Sequence, residues 1–307
     1  MGLTSMAMTG AEPLDIRRLL EPLGVDRFFA EFWLRRTVAF DLEPGMFARL
    51  REEIGEPDIA RLAGLATGGT QAWIANEHIA HSVVPVDASS AKLFFDAGAS
   101  LYFINVPLNA VTRPFAVFLG VPSTRVLASF FLTPGGGGAS RHFDAHENFT
   151  IQLTGAKRWN LGKTPLITAP PDGFVLGSRL PPSLVGMMDD DGASGAADPV
   201  DLRPGTLLYI PRGTLHDTEA AGASWSLNIS YACTMWVDLV CAGLRQRLSK
   251  SPRWRGSVAG LARADSAVLQ SNILPELIGE LRELLADKEQ VDLLWREFFH
   301  IYGSGEY

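Results

Sequence analysis

Apolar residues recur at helical spacing near the start of the chain. "LDIRRLLEPLG" and "DRFFAEFWLRRTV" both show it, so residues 13–62 read as helical, with Asp26 placed to cap the second segment. The pattern then changes. "LYFINV", "RVLASFFLTP", "FTIQLTG", "KRWNLG", "TLLYIP" and "WSLNISYAC" are short runs rich in β-branched and aromatic residues, divided by Gly and Pro. Many short strands without helical pattern between them predict a β-sandwich or barrel. From about residue 234 helical spacing returns. Val237, Val240, Cys241, Leu244 and Leu248 form one face, and Pro275 starts a further helix carrying Leu277, Ile278, Leu281, Leu284 and Leu285 and continuing to Phe298 and Phe299.

Three regions follow: an N-terminal helical and strand region over 1–100 that packs on the barrel, the barrel itself over 101–235, and a C-terminal helical region over 236–307. Within the barrel, residues 163–204 contain "PPDGF" and "DDDGASGAADP" and read as a long surface insertion, the kind of loop that serves as a lid. Its Asp189-Asp190-Asp191 run lacks the alternate ligand spacing and closing Glu of a calcium loop and reads as solvated.

The chain has 307 residues, 47% of them hydrophobic, enough for a substantial core. A net charge of −7 argues against a nucleic-acid partner. Arg245, Arg247, Lys250, Arg253 and Arg255 cluster where the first C-terminal helix ends, which suits the negative end of its dipole. Cys233 and Cys241 have neither zinc-ligand nor redox spacing and read as buried free thiols in a reducing compartment. The opening "MGLTSMAMTGAEP" has no signal-peptide pattern, and no apolar run approaches the roughly 18 residues that span a membrane, so the expectation is a cytoplasmic protein with no membrane partner.

Chemistry concentrates in "RHFDAHENFTIQLTGAKRW", residues 141–159, which holds two of the six histidines, His142 and His146. Gly136 is followed after five residues by His142, after one more by Asp144, after three by Asn148 and after six by Gly155. Downstream, Gly205 is followed after five residues by Pro211 and after four by His216. These spacings resemble the two motifs of the cupin superfamily, whose small barrel carries a metal on inward-facing side chains. Asp144 stands where the second His of that motif would be, and Asn148 where its Glu would be. The ligand set becomes His142, Asp144 and His216, a 2-His-1-carboxylate facial triad that leaves three positions open and suits non-haem Fe(II). Residues i and i+2 of an extended segment point to one side, so His142 and Asp144 can grip one ion. Pro211 and Gly213 make the turn that aims His216 inward. His146 is assigned to the rim of the site or to substrate contact, while His78, His81 and His300 read as structural or surface residues. Lys157 lies fifteen residues after His142, on the next strand. A buried ammonium there is the simplest partner for the far carboxylate of 2-oxoglutarate chelated to the metal.

"HFDAHENFTIQLTGAKRWNLG" and "YIPRGTLHDTEAAGASWSLNISYA" resemble the JmjC and cupin-like 2-oxoglutarate oxygenases, most closely their hydroxylase branch, which includes ribosomal-protein hydroxylases and the asparaginyl hydroxylase of hypoxia signalling. The resemblance covers about residues 25–235 and is followed by helices similar to the family's dimerisation region; too few residues remain for the winged-helix domain of the ribosomal branch. It implies a mainly β core, a double-stranded β-helix of cupin or jelly-roll type with N-terminal helices and a C-terminal helical region. It further implies Fe(II) as cofactor, 2-oxoglutarate and O2 as co-substrates, Lys157, Asn148, Asn228 and Thr150 around the co-substrate, and a homodimer. The expected activity is hydroxylation of a peptide or protein side chain. Phe130, Phe143, Trp159 and Trp225 are candidates for a dry wall, with Phe130 and Trp225 also assigned to the substrate. Two readings stand beside this one: a small-molecule or amino-acid hydroxylase on the same scaffold, and a non-catalytic cupin-like binding module. A cupin isomerase or dioxygenase that needs no 2-oxoglutarate leaves Lys157 unexplained.

Overall fold

The computed structural model describes residues 15–74, 82–162, 164–188, 198–257 and 266–303, and it divides into two compact units, Met1–Cys233 and Thr234–Tyr307. The first unit opens with α1 (Ile16–Leu20) and α2 (Val25–Arg27), which runs on as a π-helical turn over Phe28–Phe32. Then come β1 (Val38–Asp41), α3 (Pro44–Ile54), α4 (Ile59–Leu65), β2 (Thr70–Ile74), β3 (Ser82–Val86) and α5 (Ala91–Asp96). Next are β4 (Ser100–Phe103), α6 (Asn109–Leu119), β5 (Val126–Thr133), β6 (Gly138–Phe143), β7 (Glu147–Thr154) and β8 (Lys157–Leu161). The unit ends with β9 (Phe174–Val175), β10 (Asp198–Leu202), β11 (Thr206–Ile210), β12 (His216–Glu219) and β13 (Ser224–Tyr231).

These strands form two antiparallel sheets, an eight-stranded one in the order β1-β11-β7-β13-β5-β4-β2-β3 and a five-stranded one in the order β10-β8-β12-β6-β9. The fold is a double-stranded β-helix with helices before and after it. All six runs singled out in the sequence supply strands, namely β4, β5, β7, β8, β11 and β13. Period-2 alternation then sorts their side chains. On β7, Phe149, Ile151 and Leu153 point outward into a core with Phe28, Leu50, Phe115 and Trp225. Asn148, Thr150 and Gln152, equally buried, point between the sheets. At one end of that space Trp159, Leu161 and Leu202 of the small sheet pack on Leu208 and Ile210 of the large one.

Several expectations are corrected. Residues 13–62 are not continuously helical, because "VAFD" forms β1 and pairs with Thr206–Tyr209 at the sheet edge, where pairing overrides local spacing. The cap of α2 is Gly24, at φ 86, and Asp26 lies inside the first turn, where its charge faces the positive end of the dipole. Helices α5 and α6 do fall between strands. The 1–100 region does more than pack on the barrel, since β1, β2 and β3 are hydrogen-bonded into the large sheet.

The second unit holds α7 (Trp236–Leu248), α8 (Ser266–Ala286) and α9 (Lys288–Gly303). Pro275 does not start α8 but lies inside it; the helix tolerates the loss of one backbone donor. Leu239 and Leu244 of α7 face Val291 and Leu294 of α9 across an apolar cleft. Val237 and Val240 are exposed in the chain, and so is Cys241, while Cys233 is half-buried, so neither free thiol is buried as expected. Within the basic cluster, Arg253 pairs with Glu276 and Glu280. Among the described residues no helix is long and apolar enough to cross a membrane.

Candidate metal centre

The cavity between the sheets, together with its mouth to solvent, holds about 630 Å³ of empty space. His142 and His216 lie side by side on paired strands, in direct register, with ring centres 4.2 Å apart. His142 Nδ1 is 2.5 Å from the Ser140 carbonyl and His216 Nδ1 is 2.9 Å from the Thr214 carbonyl. A carbonyl only accepts, so each Nδ1 carries a proton and Nε2 is the ring nitrogen left to bind a metal. Both Nε2 atoms face Asp144, one residue beyond β6, at 3.9 Å from Oδ1 and 3.7 Å from Oδ2. One donor atom from each of the three residues falls within 4.8 Å of the others.

The local sequence explains this convergence. The turn before His216 needs Gly213, at φ 80, where a Cβ would meet the Ile167 carbonyl at 1.9 Å. The Gly213 N–H donates to the Asp144 carbonyl at 2.8 Å and ties that turn to the segment after β6. The Asn148 amide donates to Asp144 Oδ2 at 2.7 Å, Asn228 donates to Asn148 Oδ1 at 3.1 Å, and Thr150 donates to Asn228 Oδ1 at 3.1 Å. Burial raises the Asp144 carboxyl, but His142, His216, His146 and the Asn148 amide together outweigh it and hold the group below the usual carboxylate range. Burial, and then the neighbouring His142, push His216 down to about 4. Two imidazoles oriented through Nδ1 so that Nε2 faces the carboxylate, with that carboxylate ionised, fit a divalent cation that accepts mixed N and O donors and keeps open positions.

Lys157 lines the same cavity at 3% exposure, with its ammonium 5.5 Å from the centre of the Phe131 ring. Among the described residues no carboxylate is within ion-pair distance of it, and burial pushes its amine down to about 7. An enclosed cation with no counter-charge fits a ligand that brings its own carboxylate.

The structure therefore gathers His142, Asp144, His146, Asn148, Thr150, Lys157, Trp159, His216 and Asn228 around one cavity. It does not place Phe130 and Trp225 there. They stack on each other, ring centres 5.6 Å apart, on the outward face of the large sheet. Phe143 is also outside, packed with Ile167, Leu184 and Leu215. Parity is the reason: Phe130 alternates with inward Phe131, Trp225 lies three residues from inward Asn228, and Phe143 follows inward His142. Sequence reasoning missed Trp73, whose ring centre is 5.1 Å from His142, and Tyr102, which stacks on Phe131 at 4.2 Å. Burial raises the Tyr102 phenol to about 12, so it stays protonated. A lone Tyr in the apolar run "LYF" was the available signal for Tyr102; Trp73 lies on a strand that no local pattern marked. His78, His81 and Asp189-Asp190-Asp191 lie outside the described residues.

Comparison with known proteins adds a family to this geometry. Residues 117–239 match the JmjC domain family. The uncharacterized protein YxbC of Bacillus subtilis is 35% identical over 133 residues, covering 42% of this chain and 40% of its own length. Mouse ribosomal oxygenase 2 is 24% identical over 243 residues, covering 72% of this chain and 48% of its own length. The chain thus spans less than half the length of these curated relatives. A structure of YcfD, a ribosomal oxygenase from Escherichia coli, in complex with cobalt and 2-oxoglutarate, superposes with a TM-score of 0.54 at 20% identity, over 89% of this chain and 70% of that one, a likeness of fold. The segment that carries His142, Asp144, Lys157 and His216 lies wholly inside residues 117–239, the range that matches the JmjC domain family.

Proposed function

We propose that this protein is an Fe(II)- and 2-oxoglutarate-dependent hydroxylase acting on a peptide or protein side chain. The observation that carries the reading is the pairing, in one cavity, of the His142/Asp144/His216 cluster with an enclosed, uncompensated Lys157. His142, Asp144 and His216 hold Fe(II) through two Nε2 atoms and a carboxylate oxygen. Lys157 receives the far carboxylate of 2-oxoglutarate, and Asn148, Asn228 and Thr150 fix its surroundings by hydrogen bonds. When bound, the metal and co-substrate supply the oxidation of a substrate C–H to C–OH by O2, coupled to conversion of 2-oxoglutarate to succinate and CO2. Trp73, Tyr102, Phe131 and Trp159 wall the cavity and keep water from the reacting atoms. His146, half-buried on the lining, contacts the substrate at the rim. The name ribosomal oxygenase, borne by a relative and by the superposed bacterial protein, supports a protein substrate.

Three further points belong to the same proposal. Residues 1–100, 101–235 and 236–307 serve as N-terminal extension, catalytic barrel and dimerisation region. A homodimer forms through the last of these, supported by exposed Trp236, Val237, Ile273 and Leu274. The protein works in the reducing cytoplasm without a nucleic-acid or membrane partner, a reading that its two free thiols and a ferrous cofactor support.

The test is incubation of the protein with peptide libraries, Fe(II), 2-oxoglutarate and O2. The expected result is succinate together with a gain of about 16 Da on a peptidyl residue, one inserted oxygen atom. Turnover of a free amino acid or small metabolite while no peptide is modified overturns the substrate class; absence of 2-oxoglutarate turnover under all conditions overturns the enzyme.

A further inference from the structure

Glu147 is 0% exposed, and the chemistry above does not use it. It opens β7 three residues after Asp144, and its side chain leaves the strand on the face away from the cavity. Tyr209 donates its hydroxyl to Glu147 Oε2 at 2.5 Å, and Arg212 Nε lies 3.6 Å from Oε1. The Tyr209 hydroxyl in turn accepts from the Leu34 N–H at 2.9 Å, where Leu34 adopts φ 60. Tyr209 is next to last in β11, and Arg212 lies in the turn that leads to His216. The neighbouring residue of that turn, Gly213, already donates to the Asp144 carbonyl at 2.8 Å. The segment 144–147 and the turn 209–213 are therefore laced twice, by a backbone bond at Asp144 and by a side-chain clasp at Glu147.

A carboxylate taken wholly out of water is costly, and an apolar residue of similar volume stabilises a purely structural contact as well or better. What a clasp of charge and hydrogen bond adds over apolar packing is direction. Metal donors must sit within about 0.2 Å of their required distances, so the spacing between the two ligand-bearing segments matters more than their bulk stability. We infer that Glu147, acting through Tyr209 and Arg212, is a positioning residue for the His142/Asp144/His216 centre, setting the distance between the segment that carries Asp144 and the turn that delivers His216. This rests on the reading of that cluster as a divalent-cation site.

The experiment is titration of the full chain with Co(II), read by visible absorption and by competition with a chelator. Glu147→Gln keeps the volume and an acceptor for Tyr209 but removes the charge that holds Arg212; Arg212→Gln removes the other partner. Each is expected to weaken Co(II) binding on the order of tenfold and to alter the Co(II) spectrum. The double variant should lose about as much as either single one, because both break one clasp. Leu153→Ala truncates the core on the same face of the same strand and should lower the melting temperature while leaving Co(II) affinity and spectrum unchanged. Glu147→Gln and Arg212→Gln proteins that are folded and match the wild type in affinity and spectrum overturn the inference, and so does an equal loss in Leu153→Ala. If Glu147→Gln does not fold, Arg212→Gln, at a partly accessible side chain, carries the same decision. A wild-type chain that binds no Co(II) overturns the metal-site reading and this inference with it.

Discussion

The two faces of the large sheet are built from the same strands and are equally shielded from water, yet they obey opposite rules. Outward, Ala128, Phe130, Phe149, Ile151, Trp225 and Leu227 meet the helices in an apolar core, with Glu147 and its Tyr209 hydrogen bond as the polar exception on that face. Inward, Ser129, Asn148, Thr150, Gln152, Ser226, Asn228 and Ser230 are buried polar residues. Burying a polar group without a partner costs about 1–3 kcal/mol, and Gln152 Oε1, Ser224 Oγ and Ser226 Oγ have no partner among the described residues. A chain selected for stability alone would not keep such a row. Burial therefore does not separate core from site in this fold; the chemistry of the buried face does.

Substitutions on the two faces should fail in different ways. The largest effect is expected at the proposed metal ligands. His142→Ala or His216→Ala should abolish tight Fe(II) binding and turnover while the fold survives, since the outward core is untouched; metal content and succinate formation measure this. Full activity in either variant would sink the triad. Next in size is the outward face. Phe130→Ala should cost about 3–5 kcal/mol of stability, read from the denaturant midpoint, because it empties a stacked, fully buried site beside Trp225. The same variant should bind Co(II) and 2-oxoglutarate as the wild type does. A large loss of 2-oxoglutarate affinity without loss of stability would return Phe130 to the cavity and break the comparison. Lys157→Ala tests the inward face a second time. Losing one charge-assisted contact in a dry site should weaken 2-oxoglutarate binding by about 1.5–3 kcal/mol, tenfold to over a hundredfold, with little change in metal affinity. Its thermal stability should not fall, because the ammonium removed is buried without a counter-charge.

Much of this division was legible in the residues themselves. Strands announced themselves where β-branched and aromatic residues cluster between turn formers, as in "RVLASFFLTP". The clustering of His142, Asp144 and His216, the candidate ligands, was legible because they sit in fixed glycine and proline frames. What stayed hidden was long-range. The run "GASRHF" is too polar to look like a strand, and only pairing with β12 and β9 makes it β6. Trp73 reaches His142 from a strand whose place beside β4 is set by tertiary pairing. Phe130 and Trp225 were misplaced for a different reason: aromatic character was weighed and strand parity was not, although Asn228 and Trp225 cannot share a face on one regular strand. Glu147 was passed over by the opposite error, since a Glu between His146 and Asn148 reads as part of the polar cluster, and only its parity sends it to the other side of the sheet.

The smallest expected effect is a pH dependence, and its sign follows from Lys157. In the free site burial holds its amine at about 7, well below an ordinary lysine. A bound carboxylate favours the ammonium and raises that value again, so between pH 7 and the raised value binding must draw in a proton. Affinity for 2-oxoglutarate is therefore expected to be full well below pH 7 and to fall as pH rises, by about fivefold between pH 7 and pH 8 for a single group of this kind. Three other groups on the lining do not give this slope: Tyr102 stays protonated up to about 12, and Asp144 and His216 are held below the range. Calorimetry of the Co(II)-loaded protein in buffers of different ionisation enthalpy should show uptake approaching one proton at pH 8. Lys157→Arg separates this from any effect at the metal, because a guanidinium keeps its charge throughout and its 2-oxoglutarate affinity should be flat over the same interval. An affinity that rises with pH in the wild type, or an equal slope in Lys157→Arg, would place the titrating group elsewhere and leave Lys157 permanently charged on the inward face.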